Sequence, residues 1–335
     1  MIEYNKKQDQ PLLEIRDLKT WFYTETGVVR GCDGVSYRVE KGQTLAIVGE
    51  SGSGKSVTAM SILGLIPNPP GKIVGGEILF KGQDLVRCNP EELRRIRGNS
   101  IAMIFQEPMT SLNPVMRVGR QIGESLQLHQ GVDRGEARVR AIKLLSMVGI
   151  SDAESRVDNY PHQMSGGMRQ RVMIAIALAC RPELLIADEP TSALDVTIQA
   201  QILHLIGDLQ QKIGMGVILI THDMGVVAEC ADWVAVMYCG RVVEFGPREQ
   251  IFGDPKHPYL EGLKKAVPDI GETREMLQEI QGNVPDPLCM PAGCSFAPRC
   301  SKRLAHCEDE LPPQVHFSDG HYACCWLYPE ETRHD

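Results

Sequence analysis

The chain has 335 residues, 43% of them hydrophobic, and a formal net charge of −8. That length admits two domains and a sizeable core, and an acidic balance without a long basic stripe argues against a nucleic-acid surface. Apolar runs such as Val172 to Cys180 fall far short of a membrane span. The polar stretch Met1 to Asp9 holds no apolar leader. The expectation is therefore a cytosolic chain whose membrane role runs through partners.

In chain order, residues 12 to 48 form short alternating runs broken by turns, which predicts a small antiparallel sheet. It leads into Thr44 to Val48, a β-branched apolar run that predicts a buried strand. Gly49, Glu50, Ser51, Gly52, Ser53, Gly54, Lys55 and Ser56 follow, matching G-x-x-x-x-G-K-[ST], and Lys55 to Leu65 has helical spacing. Strand, glycine-rich loop and helix are the context in which backbone N–H groups converge on phosphate oxygens. There Lys55 reaches the β- and γ-phosphates and the Ser56 hydroxyl ligates magnesium.

A strand is expected over Ile101 to Phe105, then helices over 115 to 128, 134 to 148 and 165 to 180. Leu184 to Ala187, Val217 to Ile220 and Val234 to Met237 are apolar runs with helical stretches between them, which predicts a parallel sheet. Asp188 and Glu189 close the first of these runs. At a sheet's carboxyl edge Asp188 reaches the magnesium shell and Glu189 polarises an attacking water. Ser165, Gly166 and Gly167 precede a long helix, an arrangement that by itself reads first as an N-cap and also offers an anion site. From about Asp254 prolines and glycines become frequent, so a boundary is placed near 253 to 256.

These segments, in this order, resemble the ATP-binding-cassette (ABC) ATPases over residues 12 to 253. The phosphate loop is Gly49 to Ser56, the signature Ser165-Gly166-Gly167-Met168-Arg169-Gln170, the acidic strand Leu184 to Glu189. Ser192-Ala193-Leu194-Asp195 and Ile220-Thr221-His222-Asp223 follow. The resemblance implies an α/β fold with a RecA-like parallel sheet core, an antiparallel β subdomain and a helical subdomain at about 107 to 180. It implies two cassettes meeting head to tail around ATP and Mg2+. Gln106 would then touch magnesium and the attacking water, His222 the γ-phosphate, and Ser165 and Gly167 the γ-phosphate of the opposite site. Phe22 or its neighbour Tyr23 would stack on adenine. Met168 stands where the common pattern has glutamine, while Ser165 and Gly167 are kept.

The span from Gln106 to Ser165 is too short for the coiled-coil insertions of chromosome-acting cassettes. Gln106 to Pro114, and in the tail His257-Pro258-Tyr259 and Gly293-Cys294-Ser295-Phe296-Ala297-Pro298-Arg299-Cys300, resemble dipeptide, oligopeptide and nickel importer ATPases. That subfamily implies two membrane permease subunits, a second ATPase subunit and, indirectly, an extracytoplasmic solute-binding protein. It also implies a peripheral place on the cytoplasmic face of the inner membrane. A nickel or metal-chelate importer is the alternative to a peptide importer. An ABC ATPase acting on nucleic acid or ribosomes, or an ATP-binding subunit of low turnover, is more distant.

Of 11 cysteines, six fall after residue 288. Their spacings match neither short zinc knuckles nor ferredoxin patterns. Clustered thiols in a reducing compartment point to a soft metal, an iron–sulfur cluster or plain structural cysteines. The importer resemblance implies a 4Fe-4S cluster on Cys294, Cys300, Cys307 and one of the pair Cys324-Cys325. Cys325 is favoured because an aromatic and a Leu-Tyr segment follow it, and Cys289 falls outside the pattern. The expected organisation is a cassette over 1–253 and a small, irregular, cysteine-rich C-terminal domain over 254–335, its thin core stapled by the cluster.

Overall fold

The structure is a computed structural model that describes residues 10–106, 111–191, 196–265, 280–317 and 320–328. Two expected segments, Glu107 to Thr110 of the importer-like stretch and Ser192 to Asp195, lie outside the described residues.

The chain begins with strands β1 (Leu13–Thr24), β2 (Gly27–Val39) and β3 (Thr44–Val48), then helix α1 (Lys55–Ile62). Strands β4 (Gly71–Phe80) and β5 (Gln83–Asp84), helix α2 (Pro90–Ile96) and strand β6 (Ile101–Ile104) come next. Helices α3 (Val118–Gln130), α4 (Arg134–Met147), α5 (Ala153–Arg156) and α6 (Gly166–Ala177) form a helical block before β7 (Leu184–Asp188). Helix α7 (Val196–Ile213), β8 (Gly216–Ile220), α8 (Met224–Cys230), β9 (Trp233–Tyr238) and β10 (Arg241–Pro247) follow. The chain closes with α9 (Arg248–Gly253), α10 (Pro258–Lys265), β11 (Gln314–His316) and β12 (Tyr322–Cys324).

Two sheets result. One is antiparallel in the order β2-β1-β4-β5, so the expected small sheet also recruits β4 and β5. The other runs β11-β12-β10-β9-β3-β8-β7-β6, with β9, β3, β8, β7 and β6 parallel. Every residue of β3, β7 and β8 is buried, because both faces of this sheet are covered. The helical block packs on one face through Val118, Ile122, Leu145, Val172 and Ile174. The antiparallel sheet and α1 pack on the other through Leu13, Ile15, Val35, Ala59 and Ile78.

Helix α1 stops at Ile62, short of the expected Leu65. Gly64 takes a left-handed conformation with φ 60, and Pro67 follows.

The tail packs directly on the cassette and adds to its sheet. Tyr322 and Ala323 of β12 pair with Phe245 and Glu244 of β10, so the tail extends the main sheet. Tyr259, Leu260 and Phe296 share one core with Ala46 and Val48 of β3 and Val234 and Val236 of β9. Glu244, fully buried, accepts from His321 Nε2 at 2.8 Å and from the backbone N–H groups of Lys256 and His257. The tail builds its core against the cassette, which is why its own sequence holds few periodic apolar runs.

Candidate active site

Parallel register sets the site. Ile47 of β3 and Asp188 of β7 both face Ile220 of β8, so the loops leaving these strands emerge together at one carboxyl edge. Those loops carry Gly49 to Ser56, Glu189, and Thr221-His222.

The phosphate loop has the shape its glycines permit. Gly54, at φ 98, leaves no room for a Cβ, which would come within 2.3 Å of the Gly31 carbonyl oxygen. Gly52, at φ 78, sits in open space and serves the turn itself. Ser53 and Lys55 are buried, Ser51 and Gly52 exposed. Lys55 Nζ donates to the carbonyls of Gly49 at 2.8 Å and Glu50 at 2.9 Å. Burial lowers the Lys55 pKa, and the carboxylates of Glu189, Asp188 and Glu50 work against that shift.

Ser56 Oγ donates to Asp188 Oδ1 at 3.2 Å. Burial raises the Asp188 carboxyl, the Ser56 bond and Lys55 lower it, and neighbouring Glu189 raises it again. A divalent cation at this hydroxyl–carboxylate pair would favour the charged form. Hard oxygen donors are also the set magnesium takes.

Glu189 is itself left-handed, at φ 44, and its N–H is held by the Ile220 carbonyl at 2.9 Å. This turns the carboxylate off the strand between two partners. Gln106 Nε2 donates to Oε2 at 2.9 Å, and His222 Nδ1 lies 3.4 Å from Oε1. Gln106 and His222, expected from separate segments, thus meet at the Glu189 carboxylate.

Ser165 caps α6, its Oγ accepting from the Met168 N–H at 3.3 Å. Ser165 and Gly166 are exposed and Gly167 half-buried, so this helix start opens to the surface. Gln170, fully buried, donates its amide to the Pro190 carbonyl, tying α6 to the turn after Glu189. Its burial is invisible in a sequence window because the partner comes from another element.

The two aromatic candidates separate. Tyr23 is 50% exposed. Phe22 is half-buried, and a Cβ at Gly31 would meet both its ring, at 2.8 Å, and Val57 of α1, at 3.1 Å. Phe22 therefore faces the helix that opens with Lys55 and Ser56.

Two residues that the sequence reading did not assign reach the phosphate loop from the tail. Tyr259 Oη accepts the Glu50 N–H, and Arg299 grips the Glu50 carboxylate. They are more than 200 positions away from Glu50, and only their place in the tail segments already singled out could have drawn attention to them.

Among the tail cysteines, the Cys294 N–H donates to the Cys307 carbonyl at 2.8 Å, which joins those two segments. Burial pushes Cys325 up to about 12, with the Leu327 N–H opposing, and Cys294, Cys300 and Cys307 act on it as neighbouring charges. Burial likewise raises Cys294 and Cys300, opposed by backbone N–H groups of Phe296 and Lys302 respectively. Cys324 instead donates to the Val242 carbonyl, and Cys289 is exposed. As arranged, no group of three or more His, Cys, Asp or Glu among the described residues is placed to hold a metal ion, so the expected 4Fe-4S site is not formed by these side-chain positions.

A family model described as "ABC transporter" matches residues 32–192, and one described as "Oligopeptide/dipeptide transporter, C-terminal region" matches residues 243–307. The chain is 53% identical over 326 residues to a protein of Sinorhizobium fredii named "Probable peptide ABC transporter ATP-binding protein y4tR", covering 97% of each. It is 52% identical to "Oligopeptide transport ATP-binding protein AppD" of Bacillus subtilis, over 96% of this chain and 98% of that one. It is 50% identical to "Dipeptide transport ATP-binding protein DppD" of the same organism, over 97% of each. Among solved structures, the dimeric bacterial ABC transporter cassette MJ0796 superposes with a TM-score of 0.63 at 27% identity. That match covers 70% of this chain and 98% of the other. A post-hydrolysis dimer of MJ0796 with ADP and Pi gives a TM-score of 0.64. No helix among the described residues is long and apolar enough to cross a membrane.

Proposed function

The chain belongs to the ABC transporter family, and from that membership we propose that it is the ATP-hydrolysing subunit of an importer for di- or oligopeptides. The observation that carries the reading is the meeting of Gln106, Asp188, Glu189 and His222 beside the phosphate loop, in a chain whose tail is of the oligopeptide/dipeptide type.

In this reading Gly49 to Ser56 wraps the phosphates of ATP, Lys55 leaving its carbonyl partners for the β- and γ-oxygens. Ser56, Asp188 and Gln106 hold magnesium, which supplies charge neutralisation at the phosphates when bound. Glu189 takes a proton from the attacking water, Gln106 and His222 orient it, and Phe22 stacks on adenine. Ser165, Gly166 and Gly167 are offered to ATP on a second cassette, because an exposed helix start with free N–H groups suits a γ-phosphate arriving from outside the chain. Closing and reopening of the pair then moves two permease subunits at the cytoplasmic face of the inner membrane, which receive cargo from an extracytoplasmic binding protein. The division into 1–253 and 254–335 is proposed as functional: the first part hydrolyses and the second braces it.

We also keep the 4Fe-4S cluster as a proposal on Cys294, Cys300, Cys307 and Cys325. What supports it is the donor set: four thiols acting on one another, three of them with a backbone N–H from the second residue onward that favours the thiolate. Purified without oxygen, the protein should be brown, absorbing at about 400 nm. A colourless protein with one zinc per chain overturns this.

The importer reading is tested by uptake. Cells lacking this chain should fail to take up di- and oligopeptides, with recovery by the wild type and not by the Lys55→Ala form. Unchanged peptide uptake with lost nickel uptake would overturn the peptide assignment.

A further inference from the structure

We propose that Tyr259 and Arg299 are positioning residues of the ATPase site, holding Glu50 so that the phosphate loop stays open to a nucleotide's phosphates. The proposal rests on the reading of Gly49 to Ser56 as the ATP loop.

Every polar group of Glu50 is engaged. Its N–H donates to Tyr259 Oη at 2.8 Å, and its carbonyl accepts from Lys55 Nζ at 2.9 Å. Its carboxylate takes two bonds from one guanidinium, Arg299 Nη1 to Oε2 at 2.6 Å and Nη2 to Oε1 at 3.0 Å. Fork-on-fork geometry of this kind fixes direction as well as distance.

The anchor is itself rigid. The Arg299 side chain is 4% exposed and also donates to Tyr238 Oη and to the carbonyls of Ile280 and Gln281. Tyr259 is fully buried, its ring 4.6 Å from Tyr238 and 5.4 Å from Phe296. Tyr238 ends strand β9, the neighbour of β3, so the clamp is referenced to the sheet from which the loop springs.

Electrostatics explains why such a clamp is needed. Glu50 puts a negative charge in a loop that must receive a highly negative ligand. Unpaired, that carboxylate would repel phosphate and compete for Lys55. Paired with Arg299 it is neutralised and drawn toward the tail. A loop ordered before binding also loses less on binding.

The experiment is magnesium-ATP titration of the full chain by calorimetry, with kcat and KM measured in parallel. Arg299→Gln should raise Kd and KM for ATP about tenfold, as expected for one lost charge-assisted pair, and leave kcat within about twofold. Arg299→Lys should recover part of the affinity, because it restores charge without the fork. Tyr259→Phe keeps the ring and should raise KM about threefold. The discriminating variant is Glu50→Gln with Arg299→Gln, which should bind ATP more tightly than Arg299→Gln alone because the unpaired carboxylate is gone. A purely structural role for Arg299 predicts no such rescue. Unchanged KM in Arg299→Gln and Tyr259→Phe overturns the proposal, as does a double variant no better than the single. Should Arg299→Gln fail to fold, unchanged KM in Tyr259→Phe and Arg299→Lys overturns it. A wild-type chain that does not bind or hydrolyse ATP overturns the reading of the site itself, whereas an active wild type with unaltered variants overturns the clamp alone.

Discussion

The hydroxyl of Ser56 lies 3.2 Å from Oδ1 of Asp188, across 132 positions of chain. One lies in the first turn of α1 and the other closes β7, and parallel pairing of β3, β8 and β7 brings them together. Asp188→Asn should keep the fold, since the amide still accepts from Ser56. It should raise the magnesium concentration needed for half-maximal turnover by about tenfold or more, because a neutral oxygen binds a hard cation less well. A magnesium titration of ATPase activity checks this, and an unchanged requirement would remove Asp188 from the metal shell.

Glu189→Gln should lower turnover by about 10² to 10⁴, the range for a general base, with ATP affinity kept and the paired state more persistent. The carboxylate sits between Gln106 and His222, so the amide preserves shape while removing basicity. Turnover near wild type would refute the base assignment.

Lys55→Ala should weaken ATP binding by about 2 kcal/mol, roughly thirtyfold, as expected for a lost bond to a charged group. Lys55 now rests on the Gly49 and Glu50 carbonyls, bonds that a phosphate can replace. Equilibrium titration with ATP separates this from an effect on kcat alone.

Gly54→Ala should both destabilise the chain and abolish nucleotide binding. The new Cβ would lie 2.3 Å from the Gly31 carbonyl oxygen at a φ of 98 that L residues avoid. The strain is about 1–3 kcal/mol before any relaxation. A lowered melting temperature with lost ATP binding is expected; wild-type values for both would show that the loop can reshape.

His257 is buried and its Nδ1 accepts the Tyr259 N–H at 3.1 Å. Burial lowers its pKa from 6.5 to about 3. Between those values the unfolded chain binds a proton that the folded chain does not. Its contribution is therefore complete above about pH 6.5 and is lost progressively as pH falls toward 3. His257→Gln should flatten this part of the stability profile relative to wild type. Denaturant midpoints measured from pH 7 to pH 4 check it, and parallel slopes in the two proteins would refute the assignment.

Strands β3, β7 and β8 were legible in advance because fully buried parallel strands read as uninterrupted apolar runs, and Gly49 to Ser56 because a phosphate loop writes its chemistry in consecutive residues. Strands β4, β10, β11 and β12 were not assigned. The Gly71–Phe80 strand contains three glycines, and β11 and β12 are three residues each, so their identity comes from partners and not from pattern. The same holds for Gln170, whose amide finds Pro190, and for the choice between Phe22 and Tyr23, which depends on what each ring faces.

By itself the sequence determined the nucleotide chemistry of this protein and the order of its segments, since those depend on residue types at short spacing. Only the tertiary structure decided that Ser56 meets Asp188, that Gln106 and His222 share Glu189, and that the tail joins the cassette's sheet and grips Glu50. The physical reason is that hydrogen bonds and ion pairs form across space. Sheet register and burial set them, and neither is written in any local window of the chain.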